Sequence, residues 1–289
     1  MPTSVAELVD ILDLEAIEID LFRGAQPPGS TMPRVFGGQV AAQALMAASR
    51  TIDPDRYVHS LHAYFLLPGD TSIPIVYDVQ RIRDGGSFST RRVEARQHGR
   101  VIFYLTASFH VDEPGFDHQD PMPDVPAPED SPDLAELLGR ISRRAADSWR
   151  REWSALDVRY IGDTRPGGSL PIGEHPAQAR LWFRTDGKLP DDPVLDPCVL
   201  AYASDLTLLG STLIPHGVLI GSPTIQAASL DHVMWFHRPV RADQWLLYDQ
   251  YSPSAQGARG LAIARIFAAD GTLVATAGQE GLIRPVRAD

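Results

Sequence analysis

The stretch "SLDHVMWFHRP", residues 229–239, decides the fold because an earlier part of the chain repeats its spacing. Residues 60–68 read "SLHAYFLLP". In both stretches an adjacent pair of aromatic residues is followed three positions later by proline, at a shift of about 171 residues. Aromatic and β-branched residues favour strands, so each stretch is predicted to be a strand of the core. The chain is therefore predicted to contain one structural unit twice.

A strand, a tight turn and a second strand follow each of the two stretches. The first such pattern is "RRVEARQHGRVIFYLTASF", residues 91–109, and the second is "GLAIARIFAADGTLVATAGQEG", residues 260–281. Gly99 and Gly271 lie at the predicted turns, where glycine adopts positive φ without steric strain. Both patterns predict an antiparallel hairpin.

A mostly apolar helix is predicted ahead of the strands in each half. The first is "FGGQVAAQALMAASR", residues 36–50, and the second is "DPCVLAYASDLTLLGSTLIP", residues 196–215. We expect Asp196 to cap the second helix, Pro197 to be its first residue, and the helix to end near Pro215. Because few polar residues interrupt either helix, each must be enclosed, and an antiparallel sheet curled around it is the simplest solution. The predicted fold class is α+β.

The repeat divides the chain into three parts. They are an N-terminal repeat, a proline-rich linker with a connecting segment, and a C-terminal repeat, over residues 1–115, 116–190 and 191–289. Within the connecting segment, residues 134–153 are predicted to form one solvent-facing helix with a narrow apolar stripe. The pieces "DVRYIG" and "ARLWFRTDG" that follow it have the composition of strands.

Composition argues against several classes of protein. The 289 residues carry a formal net charge of −11, which disfavours nucleic acid or an anionic membrane as the main partner. Cys198 is the only cysteine, so neither a disulfide within the chain nor a thiolate metal cluster is expected, and a reducing, cytoplasmic location fits. The acidic N-terminus is unlike a secretory signal, and no apolar run approaches the length of a membrane span.

Six segments closely resemble the acyl-CoA thioesterase II family, in the family's order from about residue 20 to 285. The resemblance implies a tandem (double) hotdog fold and hydrolysis of acyl-CoA to free fatty acid and coenzyme A. It also implies that no metal and no organic cofactor takes part, and that the chain forms a homodimer or homotetramer. The segments are "RVFGGQVAAQAL", "SLHAYFLLPGD", "DGGSFSTRRV", "LAYASDL", "DHVMWFHRP" and "TAGQEGLIRP".

The resemblance also implies the catalytic residues. Members of the family use an aspartate, a hydroxyl residue and a glutamine to hold and activate a water molecule. By motif these correspond to Asp205 in "YASD", Ser229 before "DHVMWFHRP", and Gln279 in "GQEG". The family pattern has threonine where this chain has Ser229, which keeps the hydroxyl but lacks the methyl group that restricts its rotamer.

The residues themselves allow two interpretations of each of these groups. Asp205 is expected inside the apolar helix, where a buried carboxylate needs donors, although it could simply cap a neighbouring strand. Gln279 and Ser229 could equally be strand-end residues bonded to backbone. The repeat helps to choose between the two interpretations, because the counterparts of Ser229 and Gln279 in the first half are the apolar Val58 and Ala107. A structural polar residue should tend to be polar in both copies, whereas a catalytic residue of a single site need not be. We therefore predict one active site per chain, built mainly from the second half, with the first half as the opposing wall.

Two further sets of residues are candidates for substrate binding. Gly37 and Gly38, ahead of the first helix, could present backbone N–H groups to an oxyanion, or could simply allow a tight turn. Arg91 and Arg92 belong to a run of arginines that could contact the phosphates of coenzyme A, or could lie on a solvated strand face.

Several alternatives remain open at this level. A serine esterase is disfavoured because no Gly-x-Ser-x-Gly motif occurs, and a hotdog enoyl-CoA hydratase because the chain has no asparagine. A non-catalytic acyl-CoA-binding protein would need none of the three polar groups. His232 and His237 differ in strand parity and are therefore a poor metal pair, and no metal site is predicted.

Overall fold

The computed structural model of the chain describes residues 1–171 and 175–286. Within them lie five α-helices, 13 strands and two 3₁₀ helices, a single turn at Pro128–Asp130 and a longer one at Leu208–His216, which is called the 3₁₀ helix below. The helices are α1 Val5–Leu12, α2 Gly37–Ser49, α3 Leu134–Ile141, α4 Arg143–Trp153 and α5 Leu195–Ser204. The strands are β1 Glu15–Glu18, β2 Leu21–Gly24, β3 Arg56–Phe65, β4 Ile75–Asp84, β5 Phe88–Gln97, β6 Arg100–Val111, β7 Leu156–Asp163, β8 Gln178–Thr185, β9 Ile225–Ser229, β10 Asp231–Phe236, β11 Leu246–Gln256, β12 Arg259–Ala268 and β13 Leu273–Pro285.

The strands of both halves form one antiparallel sheet. Its order is β1-β2-β4-β5-β6-β3-β10-β13-β12-β11-β8-β7, and β9 pairs separately with β13. The halves meet where β3 pairs with β10, in a register that places Tyr64 opposite Asp231 and Ser60 opposite Trp235. The shift of about 171 residues found in the sequence turns one pair into the other, because Tyr64 corresponds to Trp235 and Ser60 corresponds to Asp231. The two stretches that suggested the duplication therefore lie side by side at its approximate two-fold axis.

Helices α2 and α5 form the centre around which the sheet curls. Every residue of α2 from Gly38 to Ala48 is buried, and nine of the ten residues of α5 are buried. Full burial of a large apolar side chain such as Leu45 or Leu200 contributes about 1.5–3 kcal/mol. The all-round apolar composition of both helices is thus explained, because each is covered by the sheet and by the other helix.

Both predicted hairpins are present. The turn between β5 and β6 holds His98 at φ 50° and Gly99 at φ 71°, and Gly271 in the turn between β12 and β13 has φ 91°. Positive φ at two successive residues matches the twist of antiparallel strands, so the β5–β6 turn fixes their register.

The segment predicted as linker contributes strands to the sheet. Strands β7 and β8 lie within residues 116–190, and β8 pairs with β11, so the sheet of the second half begins at Leu156 and not at residue 191. Trp182 of β8 is buried on the outer face, and its indole N–H donates to the Pro126 carbonyl oxygen at 2.9 Å. The proline-rich part therefore covers the outer face of the sheet at Trp182.

The single helix predicted over residues 134–153 is wrong, because two helices meet there at Ser142. Ser142 has an extended backbone, with φ −159° and ψ 122°, and ends α3. Its hydroxyl oxygen accepts the N–H of Ala145 and so caps α4. A serine in this position competes for backbone hydrogen bonds, which favours a cap over a helix interior.

The start of α5 also differs from the prediction. The helix begins at Leu195 after Val194, so Asp196 lies in the first turn and is not the N-cap. Its carboxylate accepts the N–H of Ala242 at 2.7 Å, from the loop before β11. Asp196 thus fixes the helix to a neighbouring segment.

One helical stretch, Leu195–His216, is long and apolar enough to cross a membrane, although the sequence predicted none. It combines α5 with the 3₁₀ helix, and 72% of an apolar segment of 18 residues within it is buried inside the protein. This burial is that of the core helix around which the sheet is wrapped.

Candidate active site

Asp205 lies at the C-terminal end of α5 and not within a helix that continues to Pro215. Helix α5 ends at Ser204, whose carbonyl oxygen accepts the hydroxyl of Tyr248 at 2.7 Å. Because the hydroxyl of Tyr248 occupies this carbonyl, the chain turns through Asp205 (φ −81°, ψ −5°) into the 3₁₀ helix. The carboxylate consequently lies at a helix end, where other elements can reach it.

The three residues predicted to be catalytic come together at this point. The Ser229 hydroxyl donates to Asp205 Oδ1 at 3.3 Å, and the Gln279 amide donates to the same oxygen. The backbone N–H of Gly38 also donates to the carboxylate. A carboxylate, a hydroxyl and a carboxamide from α5, β9 and β13 therefore share one small volume.

An irregularity at Leu230 aims Ser229 at Asp205. Ser229 lies opposite Gly281 of β13, whereas Val233 lies opposite Gly278, so one extra residue is accommodated between them. A shift of one residue reverses which face a side chain occupies. Ser229 and His232, which regular alternation would separate, thus both point towards the interior.

Gln279 is oriented by two acceptors. Its Nε2 contacts Asp205 Oδ1 and lies 3.2 Å from His232 Nδ1, so the two amide hydrogens are both used. The reverse orientation of the amide would place its oxygen against a carboxylate oxygen, which fixes the assignment. The remaining atom, Gln279 Oε1, is buried and has no hydrogen-bond partner among the described residues. It is an acceptor held beside the carboxylate.

His232 belongs to the site, although the sequence interpretation considered it only as a metal ligand. Burial lowers the pKa of its imidazole to about 4, so the ring is neutral near pH 7. Because Gln279 can only donate to Nδ1, the ring proton is on Nε2, 2.8 Å from the Ser204 hydroxyl. Ser204 in turn donates to the Ala201 carbonyl oxygen. His232 is therefore a fixed, neutral support for Gln279.

The environment of Asp205 suits a general base. Burial raises the pKa of its carboxyl from 3.8 to about 6. The donors Gln279, Ser229 and Gly38 limit this rise, and the positive charge of Arg34 limits it further. A base with a pKa near 6 is mostly ionised at pH 7 and still accepts a proton readily.

Gly37 and Gly38 bring the first half of the chain to the site. A Cβ atom on Gly37 would lie 2.6 Å from Asp205 Oδ2, and one on Gly38 would lie 2.4 Å from the Tyr202 carbonyl oxygen. The N-terminus of α2 therefore approaches the end of α5 as closely as two glycines permit. The close packing predicted for the glycines is present, and the Gly38 N–H binds the Asp205 carboxylate, while the oxyanion role stays a prediction.

The structure does not bring Arg91 and Arg92 to the site. Arg91 is buried, and its guanidinium donates to Thr51, to Asp84 and to two carbonyl oxygens of its own hairpin, so no donor remains for a phosphate. Arg92 stacks over the Tyr104 ring and pairs with Glu94. The proposal that Arg91 binds phosphate is therefore wrong, because strand alternation turns that residue into the core.

Neither a metal site nor a serine triad is formed by the neighbouring histidines. His237 bonds Thr276 on the outer face while His232 is buried, as their parity predicted. Residues 1–171 and 175–286 contain no cluster of three or more His, Cys, Asp or Glu side chains that could hold a metal ion. Ser204 and His232 form a pair, but Ser204 is completely buried and the second ring nitrogen faces an amide in place of a carboxylate.

Two family models match the chain. Residues 26–110 match the model described as acyl-CoA thioesterase N-terminal domain, and residues 161–282 match the model described as acyl-CoA thioesterase. The second match begins within β7, in agreement with the sheet, which assigns β7 and β8 to the second half.

Relatives match over nearly the whole chain. Acyl-CoA thioesterase 2 of Haemophilus influenzae is 42% identical, over 96% of this chain and 96% of that protein. The crystal structure of acyl-CoA thioesterase II TesB2 from Mycobacterium marinum is 47% identical, covers 98% of this chain and 99% of that one, and superposes with a TM-score of 0.82. A hotdog protein from Alicyclobacillus acidocaldarius shares the fold at 22% identity, with 96% of this chain and 98% of that one covered and a TM-score of 0.75. These matches confirm the tandem hotdog fold, and the chain belongs to the acyl-CoA thioesterase family.

Proposed function

We propose that this chain hydrolyses acyl-CoA thioesters to a free fatty acid and coenzyme A, by attack of a water molecule that Asp205 activates. The observation that carries the proposal is the convergence of Asp205, Ser229 and Gln279 at the end of α5. Its chemistry is that of a hydrolase because a base, a hydroxyl group and an amide oxygen without a partner surround one point.

In the proposed reaction the water donates one proton towards the Asp205 carboxylate. The water donates its second proton to Gln279 Oε1, and the Ser229 hydroxyl turns from Asp205 Oδ1 to donate to the water oxygen. Its oxygen attacks the thioester carbonyl carbon while Asp205 takes the proton, and a tetrahedral intermediate forms. The carbon–sulfur bond then breaks, and protonated Asp205 can return the proton to the leaving thiolate. A positioned general base contributes about 10²–10⁴-fold to the rate.

The oxyanion requires a donor that is not already engaged. Because the Gly38 N–H binds Asp205, we assign the oxyanion to the N–H of Gly37 alone. As the first residue of α2, Gly37 has no intrahelical acceptor for its N–H, and the positive end of the helix dipole favours negative charge there. The first half of the chain thus supplies a donor and the second half the base.

The test measures release of free thiol from a series of acyl-CoA chain lengths. Wild type should release thiol, whereas Asp205→Asn should lose at least about 10²-fold in kcat, the contribution of the base. Asp196→Asn is the matched control, because it changes a buried aspartate at the other end of the same helix. Binding of acyl-CoA without thiol release would instead identify a non-catalytic binding protein, and hydration of an enoyl-CoA would identify a hydratase.

We also propose a cytoplasmic location and a homodimeric or homotetrameric state. The single, buried Cys198 suits a reducing compartment, and the long sheet has exposed edges of the kind that pair between subunits. Light scattering at several protein concentrations tests the assembly, and a monomer at all of them would refute it.

A further inference from the structure

A basic depression lies along α4, in a chain whose net charge is strongly negative. Residues 140–151 contain five arginines and a single acidic residue, Asp147. The depression has a volume of about 690 Å³, and we call it the α4 pocket. It is lined by Thr31, Arg143, Arg144, Asp147, Ser148 and Arg151.

The arginines of the α4 pocket do little for the fold. Arg143 is 96% exposed, and its closest carboxylate, Asp147, is 3.9 Å away. Arg151 is about half exposed and contacts Glu152, whose carboxylate already binds the N-terminal ammonium and Thr31. Among the described residues Arg144 has no ion pair. This differs from Arg91, whose donors are all used inside the protein. Arg144 is therefore free to bind an anion, and Arg143 and Arg151, which each pair with a carboxylate only through Nε, keep their terminal N–H groups for one.

The pocket is connected to the active site through the loop before α2. The ring of Trp153, at the end of α4, packs edge-on against Phe36 with centroids 4.9 Å apart. Phe36 immediately precedes Gly37, which lies against the Asp205 carboxylate. Along the helix, Asp147 lies about 9 Å from Trp153, at 1.5 Å per residue. Arg151 thus lies about 3 Å and Arg144 about 14 Å along the helix from the aromatic contact that borders the site.

This separation matches the shape of coenzyme A. Thirteen bonds of the pantetheine arm join the thioester sulfur to the first phosphorus, a reach of roughly 15 Å at the extension of a polypeptide, which spans three bonds in about 3.5 Å. Beyond that arm coenzyme A carries a diphosphate and a 3′-phosphate. Arginine binds phosphate through two parallel N–H groups, which makes it the appropriate side chain for such a site.

We propose that the α4 pocket binds the phosphate groups of coenzyme A while the thioester lies at Asp205. The proposal rests on the proposed hydrolase function and adds the place where the nucleotide end of the substrate is held. Arg143, Arg144 and Arg151 provide the charge, and Ser148 provides a hydroxyl group, whereas the Thr31 hydroxyl is donated to Glu152. The phosphate contacts act equally on substrate and transition state, so they lower KM and leave kcat unchanged.

The test compares two thioesters of the same acyl group, one on coenzyme A and one on N-acetylcysteamine, which has no phosphate. The variant R144Q/R151Q removes two charges from the pocket, and R140Q/R150Q removes two from the same pair of helices outside it. For R144Q/R151Q we expect KM for acyl-CoA to rise about 10- to 100-fold at constant kcat, the usual loss for bonds between charged groups. The N-acetylcysteamine thioester should be cleaved at the wild-type rate by both variants.

A second readout uses adenosine 3′,5′-bisphosphate as a competitive inhibitor. It should inhibit wild type and R140Q/R150Q alike, and R144Q/R151Q should require at least about 10-fold more of it, in line with the lost phosphate contacts. An unchanged KM for acyl-CoA in R144Q/R151Q, or an equal loss of activity on both thioesters, would refute the proposal that the α4 pocket binds the phosphate groups. Either result would leave the proposed hydrolase function unaffected. If wild type cleaves neither thioester, the proposed function itself fails.

Discussion

Replacing Asp205 by asparagine should remove activity and at the same time change how stability depends on pH. Burial raises the pKa of the Asp205 carboxyl from 3.8 to about 6, so the folded chain binds this proton more tightly than the unfolded chain. Between these two values the folded state holds more protons, and stability therefore falls as the pH rises through the window. Asparagine does not titrate and is free of this effect.

The size of the effect follows from the two pKa values. With 1.36 kcal/mol per unit, the raised pKa of Asp205 lowers the free energy of unfolding of wild type by about 1 kcal/mol at pH 4.5 and about 3 kcal/mol at pH 7.5. The free energy of unfolding of Asp205→Asn, minus that of wild type, should thus increase by about 2 kcal/mol between these pH values. Any pH-independent loss, such as a weaker contact with the Gly38 N–H, cancels in this comparison.

The assay is urea unfolding of both proteins at pH 4.5 and pH 7.5. Asp163→Asn is the control: burial opposes ionisation there, but bonds from Arg165 and Tyr160 prevail and lower the pKa of the carboxyl. The ionised Asp163 carboxylate stabilises the folded chain, and this stabilisation is lost only as the pH falls through the region below 3.8. The difference in free energy of unfolding between Asp163→Asn and wild type should therefore be nearly the same at pH 4.5 and pH 7.5. A constant difference for Asp205→Asn as well would refute the argument that Asp205 is a buried, reluctantly ionised base.

Four further predictions test the neighbours of Asp205. Gly37→Ala should lose activity and about 1–3 kcal/mol of stability, because its Cβ would lie 2.6 Å from the carboxylate. Gly86→Ala, which has no neighbour within 4 Å, should be close to wild type in both activity and thermal unfolding. His232→Phe should lower kcat about 10-fold by leaving the Gln279 amide without its second acceptor, whereas His232→Asn should recover part of the loss. Since the pKa of Asp205 is about 6 and that of His232 about 4, kcat/KM should rise with pH around an apparent pKa near 6, and the absence of that limb would exclude Asp205 as the base. Arg34→Gln should move this limb to higher pH, because the positive charge of Arg34 favours the ionised carboxylate.

The sequence was sufficient for the elements that depend on repeated local patterns. The paired aromatic stretches, the two hairpin glycines and the two apolar helices are each encoded within about 20 residues, and the structure contains them, although the second helix ends at Ser204 and not near Pro215. The grouping of Asp205, Ser229 and Gln279 followed from family motifs, since residues 24 and 74 positions apart carry no local signal of their contact.

The details of the site depended on contacts between distant elements. Helix α5 ends at Ser204 because the hydroxyl of Tyr248, on β11, donates to the Ser204 carbonyl oxygen. No residue near Ser204 in the sequence indicates that the helix ends there. The extra residue at Leu230 changes the parity of the strand, so regular alternation could not show that Ser229 and His232 face the same interior. Arg91 was misplaced for a related reason, because an arginine is seldom buried unless several partners receive it.

The N-terminus of α2 and the end of α5 lie on one polypeptide, and this has a consequence for how the enzyme tolerates dilution. Sites assembled from two separate subunits come apart when the subunits dissociate, and their specific activity falls with concentration. In the proposed mechanism the glycine donor and the carboxylate belong to one chain, joined through the continuous sheet, so specific activity should not fall when the protein is diluted.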